Sequence, residues 1–167
     1  PFFWQNKKPI NIYANRRCLK IIKNKYDYCF YGGGGYIPII KGNIVKNNFI
    51  LKKKNTRIKF KSFLIKHGYI NASAYVFEKI AYLSDCNGIG KRNYKDLRNL
   101  KYLIIDCLKI NAHPSHFNLN QAIKISKMLN PRKTILTNLH TDLDYSFLKK
   151  NLPSNIIPAY DGITLNV

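Results

Sequence analysis

Acidic side chains are scarce in this chain: 8 Asp and Glu stand against 29 Lys and Arg in 167 residues, and Glu78 is the single glutamate. The formal charge is +21 and the pI about 9.9. Arginine is scarce too, with 6 against 23 Lys, alongside 23 Ile and 20 Asn. Arg is the residue favoured for bidentate phosphate and base contacts. The positive charge therefore reads at least as much as a Lys/Asn/Ile compositional bias as a selected nucleic-acid surface. No apolar run approaches the roughly 18 to 20 residues of a membrane-spanning helix, and no charged segment followed by an apolar signal-type stretch opens the chain. A cytoplasmic protein without a membrane partner is the expectation. Cys18, Cys29, Cys86 and Cys107 are far apart with no C-x-x-C pair, which disfavours a zinc knuckle and a redox motif and leaves four reduced, mostly buried thiols. Met128 is the only methionine and Pro1 the first residue. Either an initiator Met preceded Pro1, or the chain begins inside a longer frame.

What is present is enough to fold. Hydrophobic residues make up 46% and aromatics 13%, which argues against a disordered basic tail. The charge is uneven, +15 over residues 1–84 and +6 over 85–167, so six of the eight acids lie in the second half. Pro9 to Tyr13 reads as a strand, followed by a helix capped by Asn15 with Leu19, Ile22 and Ile21 inward. Four glycines, Gly32 to Gly35, read as a loop, since no helix start or G-x-x-x-x-G-K-[ST] context follows. Arg57 to Ile65 alternates as a half-buried strand with its lysines outward, and Ser73 to Phe77 and Ile80 to Leu83 form a hairpin across Glu78-Lys79. After Asp85 the pattern becomes β/α: a short helix over Tyr94 to Leu100, a strand over Tyr102 to Cys107 covered on both faces, and a helix over Leu119 to Leu129 between Asn118 and Pro131. A strand over Thr134 to Thr137, a helix over Tyr145 to Leu152, and an alternating stretch ending in Ile163, Leu165 and Val167 complete one continuous αβ unit.

The four histidines sit where predicted strands end or loops follow. His67 follows Leu64-Ile65-Lys66, His113 and His116 precede a helix, His140 follows the strand ending at Thr137, and Asp85 ends the strand Ile80 to Leu83. Loops at strand ends can hold metal ligands while leaving room for a substrate. Each histidine taken alone reads equally as a surface or capping residue. His113 fits loop support better than ligation. Asp106 fits either a residue that orients a ligand or a cap for the following loop, Asp142 and Asp144 read as helix N-terminal acids, and Asp161-Gly162 reads as a turn.

Together these segments carry a resemblance. His67-Gly68, Ile80-Ala81-Tyr82-Leu83-Ser84-Asp85, Leu103-Ile104-Ile105-Asp106, His113-Pro114-Ser115-His116, Leu136-Thr137-Asn138-Leu139-His140 and Pro158-Ala159-Tyr160-Asp161-Gly162 resemble, in order, the C-terminal part of metallo-β-lactamase-fold hydrolases. The nearest branch is that of the phosphoribosyl 1,2-cyclic phosphate phosphodiesterases. The resemblance implies an α+β fold, an αββα sandwich, with residues 1–167 as the C-terminal two thirds of one domain. The family's H-x-H-x-D-H motif has no counterpart here and would precede the segment resembling Pro1-Phe2-Phe3. The resemblance makes His67 a metal ligand, Asp85 the carboxylate bridging two divalent ions, Zn²⁺ or Mn²⁺, and His116 the general acid. Asn138 stands where the phosphodiesterases carry a ligand His. His140 lies two residues on, on the same side if the backbone is extended, so either residue is a candidate last ligand.

The implied reaction is hydrolysis of a phosphodiester, of the small cyclic sugar phosphate kind, by water activated between two ions. The expected partner is a small anionic phosphodiester, with nucleic acid second and homodimerisation left open. A tRNA-processing ribonuclease of the same fold and a non-enzymatic basic RNA-binding module are the alternatives; against the module stand the few Arg and the lack of an RNP-type run. The 167 residues alone are expected to be inactive and marginally stable.

Overall fold

The computed structural model describes residues 2–166, with the side chain of Lys53 left aside; Pro1 and Val167, on which parts of the sequence reading fall, lie outside the described residues. The backbone forms two compact units, Pro1–Phe49 and Ile50–Val167.

The first unit contains α1 (Phe2–Asn6), β1 (Ile10–Ala14), α2 (Arg16–Lys25), α3 (Asp27–Tyr31) and β2 (Ile40–Ile44). The side chain of Asn15 accepts a hydrogen bond from Cys18 N at 2.9 Å, which satisfies an otherwise unpaired amide of the first turn of α2. Leu19 is buried as expected, whereas Ile21 is exposed. The helix α3 is not legible in the sequence, being a single aromatic turn ended by Gly32 at φ 72°. β1 and β2 pair in parallel, Ile10 opposite Ile40. A Cβ at Gly42 would lie 3.1 Å from Leu19 Cδ2 and 3.3 Å from Phe30 Cε1, so the absent side chain is what lets these two core residues close over β2.

The strand β3 (Asn48–Lys53) leads into the second unit, which continues with β4 (Thr56–His67), β5 (Ile70–Phe77), β6 (Ile80–Leu83), β7 (Tyr102–Asp106), α4 (Leu119–Leu129), β8 (Lys133–Thr137), α5 (Tyr145–Asn151) and β9 (Ile156–Pro158). These strands make one seven-stranded sheet in sequence order. β4, β5 and β6 are antiparallel; β6, β7, β8 and β9 are parallel. Alternate residues of the central strands, including Ala81, Leu83, Leu103, Ile105 and Leu136, form the core with Ala122 of α4, Phe117 and Leu148. Lys61 of β4 is not a free solvent lysine but an ion-pair partner of Asp96. Tyr102 and Ile104 are half-buried, so β7 is fully covered on one face only.

α4 has the bounds its pattern predicts. Asn118 and Gln121 exchange side-chain-to-backbone hydrogen bonds of 2.9 and 3.0 Å in a capping box, and Asn130 closes the helix at φ 46° ahead of Pro131. The expected helix over Tyr94 to Leu100 is instead a 3₁₀ segment, Lys91–Leu97. The alternating stretch that ends in Ile163, Leu165 and Val167 forms no strand among the described residues: β9 ends at Pro158, and the tail is tied by Tyr102 Oη donating to Asn166 O at 2.9 Å. The alternation there reflects contact with one face of the sheet, not a ladder.

Cys86 and Cys107 are fully buried, and burial pushes both thiols up to about 12. A thiol ionises near 9 in the unfolded chain and near 12 in the folded one, so the folded state holds the proton longer. Stability contributed by these sites falls as pH rises between those values, at about 1.4 kcal/mol per thiol per pH unit. Iodoacetamide at mildly alkaline pH is expected to modify Cys18 and Cys29 in the native protein and all four cysteines in urea. Equal labelling of all four without denaturant would contradict this core.

Candidate metal centre

Strand direction assembles the site. β4 and β6 both run antiparallel to β5, and β7 and β8 run parallel to β6, so the carboxyl ends of β4, β6, β7 and β8 share one edge of the sheet. That edge receives His67 at the end of β4, Asp85 two residues past β6, Asp106 at the end of β7 and Asn138 just past β8. His116 reaches it from the loop between β7 and α4. Crevices beyond the carboxyl ends of strands are the common ligand sites of such sheets.

His67, Asp85 and His116 each offer a ligand atom, all within 4.8 Å of one another, and they are the one such group of His, Cys, Asp or Glu among the described residues. The rings of His67 and His116 meet edge to face at 4.7 Å between centroids. His67 Nδ1 lies 2.9 Å from Ser115 O, and His116 Nδ1 lies 2.8 Å from Asp106 Oδ2. A carbonyl and a carboxylate only accept, so in both rings Nδ1 carries the donated proton and Nε2 is left for the site.

Asp106 is fully buried and satisfied by three donors. Its Oδ2 accepts from His116 Nδ1 and from Cys86 N at 2.9 Å; its Oδ1 accepts from Asn138 Nδ2 at 2.9 Å. One carboxylate thus fixes the His116 ring, the Asn138 amide and the backbone next to Asp85. Asp85 itself is exposed, adopts φ 52°, a conformation that Asp tolerates better than most residues, and accepts from Ser84 Oγ at 3.2 Å.

The loop carrying Ser115 is pinned from the other side. Asn87 Nδ2 donates to Pro114 O at 2.6 Å and Asn87 Oδ1 accepts from Gly68 N at 3.2 Å. Gly68 has φ 59°, and a Cβ there would lie 2.9 Å from Ser115 Cβ. Gly68→Ala is therefore expected to displace Ser115, cost about 1 to 2 kcal/mol in urea unfolding and loosen the His67 ring. A variant as stable as the wild type would show that the loop moves freely. Asn87 and the Ser115 carbonyl went unseen in the sequence, because nothing in the spacing of a lone Asn or of a backbone oxygen announces a contact.

Of the candidates for a last ligand, Asn138 lies 3.3 Å from His116 Nδ1 with its amide nitrogen on Asp106, while His140 is turned to Asp142, with Nδ1 3.0 Å from Oδ1. The premise that residues 138 and 140 share a side does not hold: β8 ends at Thr137 and Asn138 takes φ 64°, so the backbone is no longer extended. His140 lies outside the cluster of three. Burial would raise the Asp142 carboxyl, but hydrogen bonds from His140 and Ile110 N outweigh it and hold the group below its usual range. His113 supports the loop through Nδ1, 3.3 Å from Ser115 N, and burial followed by the neighbouring His116 holds its imidazole below the usual value. Asp144 caps α5 by accepting from Phe147 N at 2.7 Å.

The profile of the Beta-lactamase superfamily domain matches residues 3–138. The chain belongs to that superfamily. It shares its fold with solved structures of the metallo-β-lactamase kind, an α+β arrangement of mixed sheet and helices. A diphosphatase from the PhnP family is 26% identical, with a TM-score of 0.80 over 92% of this chain and 56% of its own. Human tRNase Z, short form, is 16% identical at a TM-score of 0.64, covering 96% of this chain and 67% of its own. Zn²⁺-bound PqqB from Methylobacterium extorquens is 11% identical at 0.73, covering 95% and 65%. The chain thus spans little more than half the length of the diphosphatase. Comparison with curated proteins finds no match.

Proteins of this superfamily fold usually bind divalent metals, and the donor set suits one: two imidazoles and a carboxylate converge, and both imidazoles are oriented by a hydrogen bond at the ring nitrogen turned away from the site. Among the described residues no helix is long and apolar enough to cross a membrane.

Proposed function

We propose that this chain belongs to a metal-dependent phosphodiesterase acting on a small phosphodiester of the cyclic sugar phosphate kind. The observation that carries this reading is the convergence of His67, Asp85 and His116 at the carboxyl edge of the sheet. The likeness to a PhnP-family diphosphatase supports the choice of phosphate ester over other hydrolase substrates.

His67 and Asp85 would hold the cation, Zn²⁺ or Mn²⁺, by Nε2 and a carboxylate oxygen. When bound, a divalent cation makes a nucleophile of water at neutral pH and polarises a phosphoryl oxygen. The protein's part is to position. Ser115 O holds the His67 ring, and Asp106 holds the His116 ring so that Nε2 faces the substrate side. Beside Asn138 lies a cavity of about 450 Å³ whose lining joins Asn138, Tyr160 and Asp161 to the apolar Ile104, Ile135, Ile163 and Leu165 and includes none of His67, Asp85 and His116.

The test is turnover by the natural protein containing these residues, with Mn²⁺ or Zn²⁺ supplied. A chromogenic phosphodiester and a cyclic ribose phosphate are expected to be cleaved, and precursor tRNA is not. Cleavage of the tRNA alone would favour the ribonuclease, and salt-sensitive oligonucleotide binding without metal would favour the RNA-binding module.

A further inference from the structure

We propose that the amino-terminal edge of β6, β7 and β8, the edge away from the candidate metal centre, carries a second site, which binds the phosphate group of a small phosphorylated molecule through Lys79, Lys101 and Arg132. The inference concerns another part of the sheet and does not rest on the phosphodiesterase reading.

Strand direction builds this place as it builds the other. β6, β7 and β8 are parallel, so their amino ends share one edge, where the Glu78-Lys79 turn meets the segments that lead into β7 and β8. Between them lies a cavity of about 520 Å³ whose lining includes three cations, Lys79, Lys101 and Arg132, two carboxamides, Asn99 and Asn130, and one carboxylate, Glu78. The ladder sets the cations in a row: Ile80 pairs with Tyr102 and Tyr102 with Lys133, and Lys79, Lys101 and Arg132 each stand one residue ahead of these partners. Neighbouring strands are about 4.8 Å apart, so the backbone of the row spans about 10 Å. Hydrogen bonds fix it, with Lys101 N donating to Lys79 O at 2.7 Å and Arg132 N to Leu100 O at 3.1 Å. The ion pairs among the described residues are Lys61–Asp96, His116–Asp106 and His140–Asp142, so neither Glu78 nor another acid pairs with the three. Like charges held side by side repel, and an anion seated among them reverses that cost. Arg offers a fork that matches phosphate oxygens, Lys a point charge, and carboxamides can bond the hydroxyls of an attached group. The volume falls within the range of about 300 to 1,000 Å³ usual for small-molecule sites. The general basic excess of the chain does not account for this concentration, since the cavity beside Asn138 is lined by Asp161 and by no Lys or Arg.

The experiment titrates the natural protein containing these residues with pyrophosphate and with inorganic phosphate. Chelator keeps the candidate metal centre empty, and salt of about 0.15 M screens exposed charges more than about 8 Å apart. Isothermal heats give the affinity, and ¹⁵N-labelled protein gives the place without depending on any variant. The expected result is saturable uptake of one pyrophosphate per chain, tighter than inorganic phosphate, with amide shifts concentrated at residues 78–79, 99–101 and 130–132. The double variant Lys101→Gln/Arg132→Gln should weaken binding at least about 10-fold, the scale of losing one charge-assisted contact. The same change of charge on α4, Lys124→Gln/Lys127→Gln, should alter it less than about twofold, because both lysines are exposed and neither lines the cavity. Equal weakening by the two double variants, or shifts scattered over lysines throughout the chain, would reduce the site to attraction by net charge and overturn the proposal. Absence of pyrophosphate binding by the folded wild-type protein would overturn it as well. A single-stranded oligonucleotide that shifts the same amides when pyrophosphate does not would replace the small phosphorylated ligand with a nucleic acid.

Discussion

Asp85→Ala is expected to abolish both cation uptake and phosphodiester turnover while leaving the fold in place. The carboxylate is exposed and accepts from Ser84 Oγ, so little packing is lost with it. What disappears is the only negatively charged donor of the cluster, the one that would offset the charge of a bound cation. A turnover loss of at least about 10³-fold, equivalent to about 4 kcal/mol of barrier, is the expected scale. Because residue 85 sits at φ 52°, Ala carries backbone strain of about 1 to 2 kcal/mol that Asn largely avoids. Asp85→Asn should therefore keep wild-type stability and still lose the ion, separating chemistry from folding. Turnover retained in either variant would remove Asp85 from the site.

The second large effect is on stability. Asp106→Ala strands three donors, Cys86 N, His116 Nδ1 and Asn138 Nδ2, around a position with no solvent access. Breaking a buried charged network from one side costs about 3 to 5 kcal/mol, a large share of the stability of a small protein. Asp106→Asn should cost less, since its carbonyl oxygen can still accept from two of the three donors. Chemical denaturation measures both. A loss below about 1 kcal/mol for Asp106→Ala would mean that water enters and replaces the carboxylate. The same variant should loosen the His116 ring and the chain after β6 together, because one residue holds both.

Parts of this architecture are plain in the order of the residues. α4 is legible to the residue, because Asn118, the apolar spacing from Leu119 to Leu129 and Pro131 are local signals that agree. The hairpin across Glu78-Lys79 and the strands β7 and β8 are likewise local patterns. The tail from Ile163 misleads for the converse reason: alternation reports which side of a segment meets apolar surface, and only a partner strand decides whether a ladder forms. The relation of residues 138 and 140 fails similarly, since a two-residue period holds only while the backbone stays extended, and Asn138, at φ 64°, has left the extended region and donates to Asp106. Asp106 itself shows the limit of spacing. Its position at the end of a buried strand fits a cap as well as an orienting residue, and the choice depends on donors 20, 10 and 32 residues away.

The sequence by itself determined the family, the α+β class, the absence of any long apolar segment and the candidate set His67, Asp85, His116, Asn138 and His140. Composition and short motifs are enough for that. Which of these residues meet was decided by the tertiary structure alone. The reversal of direction at β5 brings the ends of β4, β6, β7 and β8 to one edge, and the buried carboxylate of Asp106, which must find donors wherever the fold puts them, draws His116 and Asn138 to itself and leaves His140 to Asp142. The scarcity of acids gives this weight: of eight, one stands in the cluster and another orients it.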